Sequence, residues 1–456
     1  MNRQPDWIRE AFFYHIYPLG FCGAPKQNSF NGQAVNRLTK VADWIPHMRE
    51  LGVNALYFGP LFESTAHGYD TADYFTVDRR LGDRAALRAL SDALHSNGIR
   101  LVVDGVFNHV GRDFWAFRDV QQHGESSPYR DWFSGLRFDG RSPYGDPFTY
   151  DSWRGHYDLV RLNQYNPAVR EHLFEAIRMW VEEFGIDGLR LDVAECLEPD
   201  FMRALRSFTD ALKPDFWLMG EVIHGDYRNW ANPEMLHSVT NYESYKGLYS
   251  SLADRNYFEI AWSLNRQFGP EGMYRGIPLY NFADNHDVDR VASSLKNSAQ
   301  LYPLYLLLFT MPGVPSIYYG SEWGFEARRT PERDDMLRPE LDLAALTVQS
   351  PQPHLPADVA RLWNLRKALP ALLDGDYRQL SVAHEQFAFA RWTDRQTVIV
   401  LLNAGEVACP MEVRVPDGFS GGIDRLNGDA YFPLQDGTLQ VDAVDAHWGR
   451  VIELIQ

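Results

Sequence analysis

Eight short apolar runs recur along the first 320 residues, and each is followed by a longer helix-like segment. Such runs are typical of buried strands, because parallel strands that are covered on both faces read as nearly continuous apolar stretches. We therefore predict an α/β fold, a (β/α)8 TIM barrel. The eight predicted strands are residues 12–18, 54–60, 99–105, 187–193, 215–222, 238–243, 278–284 and 313–320.

The segments between these strands have the amphipathic pattern of helices. Three clear cases are "RLTKVADWIPHMRELG" (37–52), "DRAALRALSDALHSNG" (83–98) and "PAVREHLFEAIRMWVEEFG" (167–185), and each closes on a glycine, as helices often do. In a barrel of this kind the active site is built on the loops that follow the strand ends.

The chain of 456 residues is too long for one ordinary domain. We assign 1–374 to the barrel and expect 106–165 to be an inserted domain over the barrel mouth, because it is too long for a simple connection. After about residue 375 the pattern changes to short alternating runs such as "FAFARWTD" and "TVIVLLNAG". Residues 375–456 are therefore predicted to form a C-terminal antiparallel β-sandwich domain.

The formal net charge of -17 argues against nucleic acid and anionic membrane surfaces as partners, since both would be repelled. Neutral substrates fit better. The aromatic content of 14% suits either stacking on sugars or a large core.

Three widely spaced cysteines, Cys22, Cys196 and Cys409, indicate neither a disulfide framework nor a metal site. The first residues lack a basic stretch followed by a long apolar run, and no stretch of about 18 apolar residues occurs. We expect a cytoplasmic location.

Four predicted strand ends carry a carboxylate in apolar company: Asp104, Asp192, Glu221 and Asp287. Strand ends converge on one mouth in a barrel, so carboxylates that are distant in sequence can face one substrate. Like charges gathered there shift pKa values and leave some groups protonated. This arrangement suits acid catalysis.

Arg190 lies two residues before Asp192 and therefore on the same side of a strand. We expect it to pair with Asp192 and keep that carboxylate ionised, as a nucleophile requires, while the apolar neighbours of Glu221 favour its protonated form. Retaining glycoside hydrolysis needs two such carboxyl groups about 5–5.5 Å apart. A lone Arg-x-Asp is more often a structural ion pair, but four acidic strand ends together favour an active site.

Several stretches resemble the signature regions of the α-amylase family, glycoside hydrolase family 13, in the order that the family has them. They are "DGVFNH" (104–109), "GLRLDVAE" (188–195), "GEV" (220–222) and "FADNHD" (282–287), with "NALYFGPLFESTAHGYDTADYFTVD" (54–78) and "GVPSIYYGSEWG" (313–324) resembling the regions of the second and eighth strands. The resemblance extends from about residue 10 to the end of the chain.

The resemblance implies a role for each matching position. Asp192 corresponds to the nucleophile, Glu221 to the general acid/base and Asp287 to the third carboxylate, which binds sugar hydroxyls and stabilises the transition state. The remaining matches are expected to bind the sugar or support the site, and they are Tyr69, Asp104, His109, Arg190 and His286. Core histidines and a packed tyrosine are the alternative interpretation of His109, His286 and Tyr69.

Departures from the family pattern narrow the expected activity. Many endo-acting α-amylases have Lys-His where this chain has Glu195 and Cys196. The "VAE" sequence is closer to the neopullulanase, cyclomaltodextrinase and maltogenic amylase branch, which usually lacks the structural calcium ion. Asn108 matches a calcium ligand of the family, yet we expect no required metal and no cofactor. That branch often has an N-terminal domain, which we do not expect in this chain because its first predicted strand begins near residue 12. The sequence leaves a homo-oligomer open.

The charged run "RRTPERDDMLRP" (328–339) follows the eighth predicted strand, where family members place sugar-binding residues. Asp335 and Arg338 are the candidates within it. A solvated loop explains the same run equally well.

We expect a retaining hydrolase of neutral α-glucans, mainly with α-1,4 bonds, such as maltooligosaccharides and cyclodextrins. One alternative is an α-glucan transglycosylase or sugar isomerase that uses the same covalent intermediate, because access of water to the acceptor side is not visible in a sequence. The other is a non-catalytic sugar-binding protein, which the presence of Asp192, Glu221 and Asp287 disfavours. Fold alone does not decide between these functions.

Overall fold

The computed structural model describes residues 4–330 and 334–456, and its first part is a barrel of eight parallel strands. Each strand lies inside one of the predicted runs. Their bounds are Phe13–Ile16, Ala55–Phe58, Arg100–Gly105, Gly188–Leu191, Trp217–Gly220, Ser238–Val239, Tyr280–Asn281 and Val314–Tyr318, and we number them as barrel strands 1 to 8.

The strands are ordered around the barrel as they are in the chain. Strand 1 pairs in parallel with strand 2 and with strand 8, so that Phe13 lies between Ala55 and Ser316. Strands 6 and 7 close the ring through a parallel bridge between Thr240 and Tyr280. All carboxyl ends of the strands therefore meet at one mouth.

Helices cover the outside of the barrel. The longer ones are Arg84–Ser96, Pro167–Phe184, Pro199–Leu212, Tyr242–Ala253, Phe258–Phe268, Leu301–Thr310 and Leu355–Ala368. The shorter ones are Pro18–Phe21, Thr39–Asp43, Ile45–Leu51, Val291–Ser294, Leu343–Gln349 and Pro370–Asp374. Asp83 and Asn166 begin two of the long helices by accepting a hydrogen bond from a backbone N–H of the first turn.

Two expectations about helices are wrong. The segment 37–52 is not one helix, because Pro46 cannot donate a backbone hydrogen bond, and the helix Thr39–Asp43 ends before a second helix, Ile45–Leu51, begins. The expected eight strand–helix units are also incomplete. Residues 221–237 are all described and contain only the short 3-10 turn Tyr227–Asn229 between strands 5 and 6, in a stretch that Gly and Pro interrupt.

Large side chains fill the lower part of the barrel. Phe13, Trp217 and Tyr280 are in contact there, with ring centroids 5.1 Å and 5.4 Å from that of Phe13. The interior cluster is Ile8, Ala11, Phe13, Ala55, Tyr57, Val102, Trp217, Met219, Tyr280, Phe282 and Val314. The apolar filling leaves the ionisable side chains at the mouth.

Two chain segments extend beyond the mouth of the barrel, one after strand 2 and one after strand 3. A hairpin of Phe62–Ser64 and Thr71–Val77 follows strand 2, and sequence analysis did not predict it. In the expected insertion after strand 3, a helix, Trp115–His123, accompanies a small antiparallel sheet of His109–Gly111, Ser152–Trp153 and His156–Arg161.

The C-terminal residues form an eight-stranded antiparallel sheet, as expected. Its strands are Asp376–Val382, Gln386–Trp392, Thr397–Asn403, Cys409–Arg414, Gly421–Asp424, Tyr431–Gln435, Thr438–Val444 and Trp448–Ile455. The strand Thr397–Asn403 is buried on both faces: Ile399 and Leu401 face the core of the sheet, whereas Val398, Val400 and Leu402 join the core of the barrel domain.

Among the described residues, no helix has the length and apolar character needed to span a membrane.

Candidate active site

Three carboxylates share one buried guanidinium at the barrel mouth. Arg190 Nη1 lies 3.0 Å from Asp104 Oδ1 and 2.9 Å from Asp192 Oδ1, and Arg190 Nη2 lies 2.9 Å from Glu221 Oε1. The four side chains belong to strands 3, 4 and 5 or follow directly on them. They are at most 9% exposed, so the electrostatic contacts among them are strong.

The chain turns sharply just after Asp192. Strand 4 ends at Leu191, and Val193 adopts a left-handed conformation with φ of 41°, which is rare and strained for a β-branched residue. In this conformation its backbone N–H donates a hydrogen bond of 2.9 Å to Glu221 Oε2. The turn therefore ties the loop that carries Asp192 to the side chain of Glu221.

Asp104 contacts Arg190 through Nη1, the same nitrogen that contacts Asp192. Its carboxylate accepts hydrogen bonds from the hydroxyl of Tyr57, at 3.1 Å to each oxygen, and from that of Tyr69 at 3.0 Å. Asp104 is itself buried. These contacts fix Arg190 in a single position under Asp192 and Glu221.

Asp287 stands beside this group and is more accessible, with a side chain that is 37% exposed. Its Oδ2 lies 3.0 Å from His286 Nε2, and its Oδ1 lies 3.0 Å from Arg338 Nη2. Arg338 Nε also donates to the backbone oxygen of His286 at 3.0 Å, and His286 Nε2 lies 2.6 Å from the Tyr69 hydroxyl. The structure thus brings Asp287 and Tyr69 into one network with Asp104.

His109 approaches Asp192 from the inserted domain, with Nε2 at 3.8 Å from Asp192 Oδ2. Burial lowers the pKa of His109 to about 3, so the ring is neutral near pH 7. Among the described residues its Nε2 atom has no hydrogen-bond partner. A neutral ring of this kind can bind a hydroxyl group without adding charge to the mouth.

Aromatic rings line the wall of the site. The ring of Tyr69, which was expected here, and that of Tyr17 are nearly parallel to that of His286, with centroids 5.5 Å and 5.9 Å away, and His15 stacks on Tyr57 at 4.1 Å. Tyr17 and Tyr57 were not predicted as site residues, because they lie in apolar strand runs and read as core. Their position near the strand ends was the available signal.

Burial dominates the protonation of the two central acids. Burial, together with the like charges of Glu221, Asp104 and Asp287, raises the pKa of Asp192 well above its ordinary value, although Arg190 opposes this. Burial also raises the pKa of Glu221. The Asp192–Glu221 pair therefore retains a proton more readily than two exposed carboxyl groups would.

The pKa of Asp287 is shifted in the opposite direction. Burial works to raise it, but the charges of His286, Arg338 and Arg190 outweigh that effect and hold the pKa of Asp287 below its ordinary value. The mouth thus combines a firmly ionised carboxylate with two that bind protons more readily. Acid groups in different protonation states are what acid–base chemistry on a single bond requires.

One expectation from the sequence is wrong in its mechanism. Arg190 does pair with Asp192, but it contacts Asp104 and Glu221 equally closely. A cation shared in this way cannot lower the pKa of Asp192 selectively. The pKa of Asp192 is therefore raised, whereas the sequence predicted that Arg190 would keep it low. The raised pKa of Glu221 has the expected direction.

The two candidates in the charged run 328–339 separate. Arg338 contacts Asp287, whereas Asp335 pairs with Lys26 at 2.6 Å between Oδ2 and Nζ. Residues 331–333 of that run lie outside the described residues.

A cavity of about 340 Å³ opens beside His109, between the inserted domain and the turn after Asp192. Glu195 lies on its wall, pairs with Arg154 at 2.5 Å and accepts a hydrogen bond of 3.3 Å from the backbone N–H of Ile223. Asn108 and Cys196 also line this cavity. Across the described residues, no group of three or more His, Cys, Asp or Glu side chains is arranged to hold a metal ion.

A family model and two sequence relatives match most of this chain. Residues 15–350 match the family description "Alpha amylase, catalytic domain". A cyclomaltodextrinase of a Bacillus species is 32% identical over 425 residues, which cover 88% of this chain and 73% of that protein. Neopullulanase 2 of Thermoactinomyces vulgaris is 34% identical over 465 residues, covering 93% of this chain and 74% of that protein.

A solved structure of similar extent also matches. The native form of a debranching enzyme from Nostoc punctiforme superposes with a TM-score of 0.82 at 29% identity, covering 99% of both chains. The likeness therefore includes the barrel, the insertion and the C-terminal sheet.

Proposed function

This chain belongs to the α-amylase family, and from that premise we propose that it is a retaining glycosidase that cleaves α-1,4-glucosidic bonds. One observation carries the proposal: Asp192 and Glu221 contact the same guanidinium of Arg190, next to Asp287, at the carboxyl ends of the barrel strands. Two carboxyl groups on one sugar-sized site are the machinery of retaining hydrolysis.

In the first step of the proposed reaction, a carboxylate oxygen of Asp192 attacks the anomeric carbon of the bound sugar. Glu221 gives its proton to the glycosidic oxygen as the bond to that oxygen breaks, so the leaving chain departs as a neutral alcohol. In the second step Glu221 takes a proton from water, and the resulting hydroxide displaces Asp192 from the anomeric carbon. Both carboxyl groups return to their starting states with the α configuration retained.

The other residues at the mouth position the sugar in this scheme. Asp287, which is ionised and partly exposed, is suited to accept hydrogen bonds from sugar hydroxyls. His109 and His286 border the same space, and the ring of Tyr69 provides a flat face for the sugar. Arg190 keeps the acids in place from below. The scheme uses only side chains of this chain and needs no metal or organic cofactor.

We propose maltooligosaccharides and cyclodextrins as substrates. The support is the naming of the relatives as a cyclomaltodextrinase and a neopullulanase. The net charge of -17 is compatible with neutral sugars.

The nucleophile is tested with the variant Asp192→Ala and sodium azide. We expect the variant to lose about 10⁴-fold or more in kcat. Azide, which is small enough to occupy the vacated space, is expected to restore turnover of an aryl α-maltoside and give a β-maltosyl azide. Rescue with an α-maltosyl azide as product, or near-normal turnover without azide, would contradict the role of Asp192.

The acid is tested with Glu221→Gln. This variant should retain much more activity on a substrate with a good leaving group, such as 2,4-dinitrophenyl α-maltoside, than on maltotriose, since only the latter needs protonation of the leaving oxygen. Asp210→Asn, on the outer helix Pro199–Leu212, is the matched control and should behave as the unmodified protein. Equal losses on both substrates would exclude Glu221 as the acid.

Product analysis separates hydrolysis from transfer. Incubation with maltotriose and with β-cyclodextrin should give glucose and maltose as final products. Accumulation of chains longer than the substrate would identify the chain as a transglycosylase instead.

A further inference from the structure

A large cavity lies at the opposite end of the barrel from the mouth. Its volume is about 550 Å³, within the range of sites for small organic molecules. The 3-10 helix Asp6–Glu10, the chain just before strands 7 and 8, and the junction 373–377 with the C-terminal sheet surround it. None of the residues discussed above as catalytic or sugar-binding lines it.

The opening of this lower cavity carries two ion pairs. Arg9 Nε lies 2.8 Å from Asp374 Oδ2, and Arg275 Nη2 lies 2.8 Å from Asp376 Oδ1, with all four side chains about half exposed. Both carboxylates at the junction are therefore already neutralised. Asp6 and Glu10 also line the cavity, but they are exposed residues whose charges are screened by water and salt.

The deeper wall is apolar. Ile8, Phe268 and Val314 line it and are almost completely buried, and Ile277 and Leu373 complete it. A wall of this composition stabilises the nonpolar body of a ligand by removing it from water.

Two polar side chains interrupt this wall. Tyr377 and Arg391 are directly opposite each other on neighbouring antiparallel strands, so they share one face of the sheet. Both line the cavity, and each is only 1% exposed. Among the described residues the hydroxyl of Tyr377 has no hydrogen-bond partner.

Arg391 is a buried cation without a carboxylate partner among the described residues. Its guanidinium donates to the backbone oxygens of Thr310, Gly375 and Asp376. Burial, followed by the nearby charge of Arg366, lowers the pKa of Arg391 well below its ordinary value, and the carboxylates of Asp374 and Asp376 offset this only in part. A buried charge is stabilised when an opposite charge reaches it.

We propose that the lower cavity binds a small organic anion, whose apolar body lies against Ile8, Phe268 and Ile277 and whose acidic group reaches Tyr377 and Arg391. The ligand bridges the barrel and the C-terminal sheet at their junction. This site is independent of the catalytic mouth and of the function proposed for it.

A pair of fluorescent probes tests the proposal. The anion 8-anilino-1-naphthalenesulfonate and the neutral N-phenyl-1-naphthylamine share one aromatic skeleton and differ in the sulfonate group. We expect the anion to bind the complete protein at a single saturable site, about tenfold or more tighter than the neutral probe, because only the anion offers a charged hydrogen-bond acceptor to Tyr377 and Arg391. Binding should raise the midpoint of thermal unfolding.

Three variants locate the site. Tyr377→Phe removes only the hydroxyl and should weaken binding of the anion about fivefold. Ile277→Trp should fill the cavity and abolish binding. Tyr431→Phe, which alters an exposed tyrosine of the C-terminal sheet, is the control and should leave binding unchanged.

Two results would overturn the assignment. Equal affinity for both probes would show an apolar slot without anion recognition. Full binding by Ile277→Trp would place the probe elsewhere. The circular dichroism spectrum of each variant and its hydrolysis of maltotriose should match those of the unmodified protein, because the mouth is at the other end of the barrel.

Discussion

Arg190 is the residue on which the charges at the mouth depend. It contacts three buried carboxylates, so the total charge of the group stays negative, and the neighbouring acids raise the proton affinity of Asp192. Proton binding at the mouth is therefore a property of the group and not of one residue. A change at any member should shift the pH dependence of activity.

Asp104→Asn tests this coupling. The negative charge of Asp104 contributes to the raised pKa of Asp192, so its removal should let Asp192 ionise at lower pH. Catalysis requires Asp192 ionised, and the acidic limb of the kcat/KM profile should therefore move to lower pH, by about one unit. The measurement is kcat/KM for maltotriose between pH 4 and 8, and a limb that stays in place or moves to higher pH would contradict the coupling.

Val193 shows how backbone conformation contributes at the same scale. A valine with φ of 41° is strained by roughly 1–3 kcal/mol, and its neighbours must hold it in place. The strain coincides with the hydrogen bond from its N–H to Glu221. Asp192 and Glu221 could be predicted from the pattern of strand ends, but that pattern carries no information about the turn at Val193 that hydrogen-bonds to Glu221.

At the scale of elements, the loop after strand 8 depends on a close backbone contact. A Cβ atom at Gly20, in the short helix after strand 1, would lie 1.9 Å from the backbone oxygen of Arg338. Only glycine permits this approach. The contact fixes the segment from which Arg338 reaches Asp287.

Gly20→Ala should therefore displace Arg338 and impair catalysis. A misplacement of this size costs about 100-fold in activity, and we expect kcat/KM for maltotriose to fall by that order. Gly32→Ala is the matched control, because its Cβ meets nothing closer than Ser29 Oγ at 3.4 Å. Unchanged kinetics in Gly20→Ala would show that the loop is adaptable.

Element patterns explain what the sequence could and could not predict. All eight barrel strands were found because apolar runs with polar ends are a local signal, and they brought Asp104, Asp192, Glu221 and Asp287 to one mouth. The sequence did not predict that strand 5 is followed by no α-helix, nor that a hairpin follows strand 2. Short segments carry too little periodicity for either prediction. The position of Arg338 beside Asp287 arises from tertiary packing and has no local signal.

At the scale of the molecule, the C-terminal sheet and the barrel share a core. Alternate residues of the strand Thr397–Asn403 belong to different clusters, and Val400 lies in the cluster of the barrel. Arg391 donates a hydrogen bond across the junction to the backbone oxygen of Thr310. An apolar, hydrogen-bonded junction of this kind couples the folding of the two parts.

Calorimetry tests this coupling. We expect one cooperative unfolding transition. Val400→Ala and Ile399→Ala should each reduce the free energy of unfolding by about 1–3 kcal/mol and so lower the midpoint temperature of that transition. Val400 faces the barrel and Ile399 faces the interior of the sheet, so the two variants probe opposite sides of one strand. Two separate transitions, with only the smaller one moved by Ile399→Ala, would show that the parts unfold independently.

The pairing of strand 1 with strand 8 has a consequence for how the chain reaches its native state. Phe13 pairs with Ser316, so one of the two hydrogen-bonding edges of the first strand has no partner until nearly the whole barrel has left the ribosome, whereas the other edge pairs with strand 2. Contacts this distant in sequence slow folding, and an unsatisfied apolar edge invites aggregation in the meantime. We therefore expect refolding from denaturant to give higher yields at low protein concentration.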